Sequence, residues 1–525
     1  MDSKEILNFC LKKGFLLDKE ILNLFSETED IESVKLILEK ITHSTRQKII
    51  TKSFFYNNKN NVSNLFSNLP EEKQKKLEKL KINLGLSIEI SSEEEINDSF
   101  KKTQNLPKNE GEFFNLKIMT SNLIEGKKLE VGDFVKYFRN RFSRMRDVLQ
   151  EHSELNNVVS INKISHERQG ISIIGLISEK RVTKNKNIIF EVEDLTGKIK
   201  ILINKDKSDL YKKAEEISLD SVIGFKGSGS REFFFASDIV FPDSVIFERK
   251  NSPVEEYTLF LGDLHFGSKL FLEKNFLKFI DYLNGKVPNT PEVDKIKYLF
   301  IVGDLITGVG VYPGQEEDLK INDLEEQFIL ISELLSKIRK DIKIIISPGN
   351  HEGVRLMEPQ PLFDEKYAWP LYNLKNVVLT ENPCNVKIGI QKNFPGFDIL
   401  TYHGFSFPFY ANNVPNLMLK KSMNNPEEIM KYLLKNRHLA PVHTSTQYFP
   451  FNEKDTHFIE NVPDIFVSAH THKSAVSYYN NILIISTSCW ESMTPYQEKF
   501  GNKPDHCKVP MFNLKTRAMK ILDFE

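Results

Sequence analysis

Five short polar motifs follow apolar runs in the C-terminal half of this 525-residue chain, and they constrain its fold more than any other feature. The motifs are Gly262-Asp-Leu-His265, Gly303-Asp304, Gly349-Asn-His351-Glu352, Tyr402-His403-Gly404 and Ala469-His-Thr-His472. They carry two aspartates, one asparagine and five histidines. Several of the preceding runs are rich in β-branched residues, as buried strands are. Polar side chains placed after successive strands are typical of a site at one edge of a sheet.

Predicted strands and helices alternate from about residue 255 onward. The predicted strands are 256–261, 297–302, 342–346, 398–402, 465–468 and 482–486, and the predicted helices are 273–283 and 321–340. Such alternation indicates a layered α/β domain. Ligands in these folds lie beyond the carboxyl ends of the strands, which is where the motifs fall.

The residue types in the motifs predict a centre for two divalent metal ions. The candidate ligands are Asp263, His265, Asp304, Asn350, His403, His470 and His472. Two ions about 3.5–4 Å apart need a bridging ligand, and a carboxylate is suited to that role. Asp304 stands alone after a strand and is the predicted bridge. A set rich in imidazole favours Mn²⁺, Fe or Zn²⁺ over Mg²⁺ alone, with Mn²⁺ preferred here.

Two details of spacing add to this prediction. Asp263 and His265 lie two residues apart and would face opposite ways in a strand, so a turn permitted by Gly262 and Gly267 has to bring them together. His351 adjoins the ligand Asn350 and should point elsewhere, towards a phosphate, as an acid or a charge stabiliser. The predicted chemistry is the hydrolysis of a phosphoester.

The composition excludes several classes of protein. No run of 18 apolar residues is present, so a membrane span is not expected. Four scattered cysteines and an N-terminus without an apolar signal segment favour a reducing cytoplasm. The net charge of −1 argues against a large basic surface for nucleic acid, although it allows a local one.

Four segments are predicted along the chain. Residues 1–80 are expected to form a helical docking domain, and residues 81–114 a flexible linker rich in polar and chain-breaking residues. Residues 115–250 should hold one helix and a barrel, and residues 251–525 the layered domain. The helix, 131–152, has an apolar face and an arginine-rich face, which is either solvated or directed at phosphates.

The barrel prediction comes from strand order. Strands are predicted at 171–178, 187–193, 198–203, 222–227 and 232–240, with a helix at 206–217 between the third and fourth. This is the plan of an OB-fold. OB-folds often stack single-stranded nucleic acid on aromatic side chains. Phe233, Phe234 and Phe235 are candidates, although alternate ones must point into the barrel, and a role in the core or in packing against another subunit fits them as well.

The five motifs resemble those of calcineurin-like metallophosphoesterases, which include the Mre-type nucleases. Further stretches are similar to the small subunit of archaeal family D DNA polymerase: Leu261-Gly-Asp-Leu-His-Phe-Gly-Ser-Lys269, Gly308-Val-Gly-Val-Tyr-Pro-Gly-Gln315, Glu358-Pro-Gln-Pro361, Arg437-His-Leu-Ala-Pro441 and Val462-Pro-Asp-Ile-Phe466. The resemblance covers roughly residues 115–525. It implies a multidomain α+β protein with a helical N-terminal domain, an OB-fold β-barrel and a C-terminal α/β calcineurin-like phosphoesterase β-sandwich flanked by helices.

The resemblance also implies a function. The small subunits of this family are 3′–5′ proofreading exonucleases that act on the primer 3′ end. Their partner is a large subunit that carries the polymerase centre, and the sliding clamp is reached through the complex. The implied location is the cytoplasm of an archaeal cell, at the nucleoid.

The resemblance distributes the metal ligands as well. One ion would be held by Asp263, His265, Asp304 and His472, and the other by Asp304, Asn350, His403 and His470. His351 would be the catalytic histidine. Two departures from the family pattern stand out. Ala469 replaces a glycine and would strain the site if its φ were positive. Glu352 replaces an aspartate, and little effect is expected from that change.

Two other functions fit parts of the sequence. A free-standing DNA repair nuclease or phosphoesterase would use the same motifs but would give the barrel and the N-terminal domain no evident purpose. A non-catalytic, DNA-binding scaffold subunit would not need the ligands, and all of them are present.

Overall fold

A computed structural model describes residues 115–119, 128–164, 168–450, 455–499, 501 and 503–525, together with short pieces of the first 50 residues: 3–13, 16–17, 21–22, 25, 34–35, 38–39 and 49–50. The chain divides into two compact units, residues 1–108 and 109–525. Most of the predicted segments 1–80 and 81–114 lies outside the described residues.

The described part of the first unit contains a helix at its start, further helical residues at 21–22, 25, 34–35 and 38–39, and a small parallel sheet. Helix α1 (Ser3–Lys12) buries Ile6 and Cys10 on one face. Strands β1 (Leu16–Leu17) and β2 (Ile49–Ile50) pair in parallel. These two strands, which the sequence did not indicate, accompany the helical residues of the first unit. Each has only two residues, which is too few for a period to appear in the sequence.

The second unit begins with strand β3 (Leu116–Ile118) and helix α2 (Val131–Gln150). Glu130 and Asp133 form a capping box at the start of α2. The apolar face of α2 packs against the outside of the barrel, where Phe142, Met145 and Leu149 meet Ile174, Leu176, Val222 and Val240. One face of α2 is thus buried against the barrel, as its apolar period requires.

The barrel confirms the predicted OB-fold. Its strands are β4 (Arg168–Val182), β5 (Ile188–Asp194), β6 (Gly197–Ile203), β7 (Val222–Gly229) and β8 (Phe233–Val240), with helix α3 (Ser208–Glu215) between β6 and β7. They close in the order β4-β5-β6-β8-β7. The tight turn between β5 and β6 forms because Asp194 Oδ1 accepts the N–H groups of Thr196 and Gly197, at 2.7 and 3.0 Å.

Two six-stranded sheets form the C-terminal sandwich. The first follows the order β12-β11-β10-β9-β18-β19 and the second β16-β17-β15-β14-β13-β3. The strands of the first are β9 (Tyr257–Leu261), β10 (Ile296–Val302), β11 (Lys343–Ser347), β12 (Val377–Leu379), β18 (Lys508–Asn513) and β19 (Met519–Asp523). The strands of the second, besides β3, are β13 (Cys384–Ile388), β14 (Phe397–Tyr402), β15 (Ile465–Ser468), β16 (Ala475–Tyr479) and β17 (Ile482–Ser486).

Strand β3 differs from its predicted place. The segment 115–250 was expected to form the helix and barrel, but Leu116–Ile118 pairs antiparallel with Val386–Ile388 at the edge of the second sheet. A three-residue strand gives no local signal of the sheet it joins, because its partner lies far along the chain.

Helices cover the outer faces of both sheets. Helices α4 (Glu273–Leu283), α5 (Leu324–Ser336) and α6 (Glu365–Tyr372) pack on the first sheet. Helices α7 (Phe407–Asn413), α8 (Pro415–Leu419) and α9 (Pro426–Asn436) pack on the second, and a short helix α10 (Pro495–Lys499) follows β17. The inner faces bury apolar side chains against each other, for example Phe260 and Phe300 of one sheet and Ile399 and Val467 of the other. This four-layer arrangement confirms the predicted fold class.

Helix α5 begins three residues later than predicted. Asp323 accepts the N–H of Glu326 at 2.8 Å and so ends the preceding loop as the N-cap of the helix. Among the described residues no helix is long and apolar enough to cross a membrane.

The arginine-rich face of α2 meets the sandwich. Arg141 is only 2% exposed and forms an ion pair with the buried Asp455, while its Nη1 donates to the carbonyl of Pro441 at 2.6 Å. Tyr137 donates to Asp455 at 2.6 Å, and His438 Nε2 lies 2.7 Å from the same carboxylate. Neither the solvated nor the phosphate-facing interpretation therefore holds for Arg141, because its charge is neutralised inside the protein.

Candidate metal centre

The five motifs converge where predicted strands end. Strands β9, β10, β11, β14 and β15 run parallel to a strand of the same sheet and end at Leu261, Val302, Ser347, Tyr402 and Ser468. Each is followed within two residues by its motif. The strand ends thus bring together all eight predicted site residues, which the sequence spreads over about 210 positions.

Several ligand candidates adopt left-handed backbone conformations. The φ angles are 50° at Asp263, 49° at His265, 50° at Asp304, 68° at His470 and 56° at His472. Such angles are uncommon outside glycine and asparagine, and they cluster at functional sites because the surrounding structure has to enforce them. The turn after β9 therefore relies on Asp263 and His265 themselves as well as on Gly267, whose φ is 103°.

Gly262 has a different role from the one predicted. Its φ is not positive, but a Cβ at this position would lie 2.6 Å from Thr487 Oγ1 and 2.7 Å from the Cβ of Ala469. A side chain at position 262 would therefore clash with its neighbours, and only glycine fits there. Ala469 has no positive φ either, and its methyl group occupies the room that Gly262 leaves, so the departure from the family's glycine causes no strain.

One group of donors contains Asp263, His265 and His472. Their ligand atoms all lie within 4.8 Å of one another. The Nε2 atoms of His265 and His472 are 3.0 Å apart, and His472 Nε2 is 3.9 Å from Asp263 Oδ1. Each of these atoms faces the same small space, which a cation can fill.

A second group contains Asp304, His403 and His470, again with ligand atoms within 4.8 Å of one another. His403 Nε2 lies 3.3 Å from Asp304 Oδ2, 3.2 Å from His470 Nδ1 and 3.0 Å from Asn350 Oδ1. The amide oxygen of Asn350 therefore lies beside this group of donors.

The carboxylate of Asp304 connects the two groups. Its Oδ2 is 3.9 Å from His265 Nε2 in the first group and 3.3 Å from His403 Nε2 in the second. His351 Nε2 also lies 3.8 Å from this oxygen. His351 Nδ1 donates to the carbonyl of Thr307 at 2.7 Å, which leaves Nε2 as the ring nitrogen that faces the centre.

Burial sets the charge state of the imidazoles. Burial lowers the pKa of His265 well below its usual value, and it lowers those of His470 and His472 to about 3 and about 4. Burial also disfavours the charged forms of Asp304 and His403, but their mutual attraction outweighs it. The pKa of Asp304 is held well below its usual value, and that of His403 is raised to about 10.

The donor set fits divalent metal ions. Three imidazoles that burial keeps neutral, those of His265, His470 and His472, converge with two carboxylates and an amide oxygen, and such closely placed lone pairs need a cation to stabilise them. At His403 a metal ion would replace the ring proton that the Asp304 carboxylate stabilises. Burial raises the pKa of Asp263 well above its usual value, so the carboxylate also gains from a neighbouring positive charge.

Glu352 has a larger role than the sequence indicated. It is 3% exposed, and its two oxygens accept the backbone N–H groups of Leu305 and Gly349, the latter at 2.7 Å. It therefore ties the turn after Asp304 to the turn before Asn350. Burial, followed by repulsion from Asp304, raises the pKa of Glu352 to about 7. These contacts give the Glu352 carboxylate a structural role that the sequence did not indicate.

Both the sandwich and the barrel match models of known protein families. The family model for calcineurin-like phosphoesterases matches residues 257–474, and that for OB-fold nucleic acid binding domains matches residues 171–232. Proteins named DNA polymerase II small subunit are similar over most of the chain. The one from Pyrococcus horikoshii is 35% identical over 477 residues, which are 87% of this chain and 73% of that protein. This chain belongs to the DNA polymerase II small subunit family.

Two other members of the family are similar to this chain at comparable identity. The small subunit from Methanothermobacter thermautotrophicus is 34% identical over 75% of this chain and 80% of its own length. The one from Pyrococcus furiosus is 37% identical over 78% of this chain. The match spans 66% of the Pyrococcus furiosus protein, just under two thirds of its length. The family resemblance drawn from the sequence motifs is confirmed. Phosphoesterases of this fold hold divalent metal ions, and the described residues include three groups that could bind one: the two groups given above and a third of His265, Asp304 and His351.

Proposed function

We propose that this chain is a 3′–5′ exodeoxyribonuclease, the proofreading small subunit of a two-subunit DNA polymerase whose large subunit carries out synthesis. The observation that carries the proposal is the carboxylate of Asp304, shared between two groups of metal donors at the ends of parallel strands. Family membership supports the large subunit as partner and a primer 3′ end as substrate.

We assign one ion to Asp263, His265, Asp304 and His472, and the other to Asp304, Asn350, His403 and His470. The set mixes imidazole nitrogens, which suit Fe and Zn²⁺, with carboxylate and amide oxygens, which suit Mn²⁺ and Mg²⁺. We propose Mn²⁺ as the bound ion, with Fe, Zn²⁺ or Mg²⁺ as alternatives. Bound ions of this kind activate water and neutralise charge on a phosphate. The protein holds the donors in place through the strand ends and through Glu352, which links two of the ligand turns.

His351 is proposed as the catalytic histidine. Its Nδ1 proton is committed to the carbonyl of Thr307, and its side chain is 15% exposed, more than those of His265, Asp304 or His403. Nε2 can therefore meet a substrate at the mouth of the centre. When Nε2 also carries a proton, the imidazolium can donate that proton to the leaving oxygen or a hydrogen bond to a phosphate oxygen.

Replacing His351 by alanine tests this function. A 5′-labelled primer with a mismatched 3′ end should be shortened stepwise by the wild-type protein in Mn²⁺, and the variant should be slower by about 10²- to 10⁴-fold. A matched control is His152→Ala, which removes a half-buried histidine that contacts Pro242 outside the centre. The assay is run with and without the large subunit. The proposal fails if the wild-type complex leaves the primer intact, or releases nucleotides only from the 5′ end.

The outer face of the barrel is proposed to hold the single strand. Phe234 is fully buried in the barrel core, whereas Phe235 is 53% exposed and Phe233 is half-buried on the outer face. Lys200, on the neighbouring strand, lies with Nζ 6.0 Å from the centre of the Phe233 ring. An aromatic platform beside a cation is the combination that OB-folds use for stacking bases and holding phosphates.

Phe235→Ala is expected to weaken binding of a single-stranded oligonucleotide by about 1–3 kcal/mol, because one stacking surface is lost. Fluorescence anisotropy at two salt concentrations measures the change, and the salt dependence should stay the same since no charge is removed. Phe247→Ala is the control, because Phe247 is 94% exposed but lies after the barrel. Equal losses in both variants would argue against the barrel face.

A further inference from the structure

Two buried amide side chains, Gln360 and Asn382, lie behind the candidate metal centre. Gln360 is 4% exposed and Asn382 is 1% exposed. Their backbones pair in both directions, with N–H to carbonyl distances of 2.7 and 3.2 Å. Gln360 belongs to the Glu358-Pro-Gln-Pro361 stretch, to which neither the metal centre nor the barrel assigns a role.

The two side chains form a hydrogen-bonded chain between two ligand turns. The N–H of His403 donates to Asn382 Oδ1 at 2.9 Å, and Asn382 Nδ2 donates to Gln360 Oε1 at 2.6 Å. Gln360 Nε2 then donates to the carbonyl of Gly349 at 2.6 Å. Every link is a donor–acceptor pair of the correct type, so reversing either amide would place like groups against each other.

These hydrogen bonds, together with the contact between two metal donors, form a closed ring. Gly349 immediately precedes Asn350, and the side chains of Asn350 and His403 meet with Oδ1 and Nε2 3.0 Å apart. The amides therefore join the carbonyl group that precedes Asn350 to the backbone N–H of His403, and the donor atoms of Asn350 and His403 converge. Gln360 and Asn382 have no polar contact with a metal donor's side chain, which separates them from the ligands themselves.

We propose that Gln360 and Asn382 are positioning residues that set the distance between Asn350 and His403 and thereby the affinity of one metal ion. This inference rests on the proposed two-metal function. The amide pair fixes two main-chain turns, and each turn carries one donor of the same ion. Hydrogen-bonding partners behind metal ligands typically change metal affinity by about 10- to 100-fold when they are removed.

The effect should be confined to one of the two ions. The donors Asp263, His265 and His472 are held by other contacts. The backbone N–H of Trp490 donates to the carbonyl of Asp263 at 2.9 Å. Gln497 Nε2 lies 2.8 Å from His472 Nδ1. None of these contacts passes through Gln360 or Asn382. Loss of the amide pair should leave this group in place.

The test is a titration of the metal-free protein with Mn²⁺, in which electron paramagnetic resonance counts free ions. The wild-type chain should bind two ions. Gln360→Met, which keeps the size of the side chain but removes the donor to Gly349, should bind one ion as the wild type does and the other about 10- to 100-fold more weakly. Asn382→Ala, which releases His403 from the same chain, should give the same pattern.

The matched control is Asn376→Leu. Asn376 is also buried, 2% exposed, and donates to the carbonyl of Ile342 at 3.0 Å, at the start of strands rather than at their ends. The Asn376→Leu protein should bind both ions as the wild type does, even if its thermal midpoint falls. The proposal is overturned if Gln360→Met binds both ions normally, weakens both equally, or behaves as Asn376→Leu does. Failure of the wild type to degrade DNA while the second ion is still selectively weakened would refute the exonuclease and leave the amide pair's role intact.

Discussion

Replacing Asp304 by asparagine is expected to lower the rate of phosphodiester hydrolysis by at least about 10³-fold, which corresponds to roughly 4 kcal/mol of transition-state stabilisation. The reason is that one carboxylate faces both donor groups, with Oδ2 3.9 Å from His265 Nε2 and 3.3 Å from His403 Nε2. A neutral amide cannot bridge two cations as a carboxylate can. The measurement is the single-turnover rate on a labelled primer at saturating Mn²⁺.

The fold should tolerate this change. Asparagine keeps the size of the side chain and an oxygen that can accept the N–H of His351, which now donates to Asp304 Oδ1 at 3.0 Å. We expect the thermal midpoint of the metal-free protein to change by only a few degrees, corresponding to about 1 kcal/mol. An Asp304→Asn protein that hydrolyses DNA at the wild-type rate would refute the bridging role.

Asp455→Ala is expected to reduce the free energy of unfolding by about 3–5 kcal/mol. The change leaves the Arg141 guanidinium without its partner at a position only 2% exposed, and it also removes an acceptor for Tyr137 and a partner for His438. An uncompensated buried charge is far more costly than the loss of a surface contact. Urea denaturation followed by tryptophan fluorescence measures the difference.

Two further variants separate the buried charge from other effects. Asp238→Ala breaks an exposed ion pair with Lys213 and should cost at most about 1 kcal/mol. The double variant Arg141→Met with Asp455→Leu removes both charges and should be more stable than Asp455→Ala alone. A loss below about 1 kcal/mol for Asp455→Ala would contradict the assignment of this pair as a buried ionic contact between helix α2 and the sandwich.

The strands that carry the site were predictable because they are locally encoded. The runs before Gly262 and Gly303 are mostly apolar, with Leu259-Phe-Leu261 before the first and Tyr298-Leu-Phe-Ile-Val302 before the second, and a strand buried on both faces needs such a run. Strand β15, Ile465–Ser468, and strand β17, Ile482–Ser486, begin and end where the sequence predicted. The OB-fold was predictable for the same reason, since five alternating strands and one helix follow each other in order.

The supporting contacts were not predictable because their partners are distant in sequence. Arg141 and Asp455 are 314 positions apart, and no local pattern distinguishes a buried arginine from the exposed Arg139. Glu352 differs from a surface acid only because two N–H groups from separate turns point at it. When a side chain's role depends on partners that the fold brings together from distant parts of the sequence, that role can be recognised only in the structure.

The backbone conformation of the ligands was also not visible in the sequence. Glycine usually marks a left-handed turn, so Gly262 was assigned that role, yet Asp263 adopts the positive φ and Gly262 does not. The sterically required glycine and the strained ligand are neighbours, and the residue types alone do not tell which of them turns the chain.

Anomalous scattering at the manganese absorption edge, from crystals grown with Mn²⁺, tests the central claim most directly. We expect two peaks about 3.5–4 Å apart. Both should contact the carboxylate of Asp304, one together with His265 and His472 and the other together with Asn350 and His403, while His351 bonds to neither. A single peak, or two peaks of which only one touches Asp304, would contradict a two-metal centre bridged by this residue.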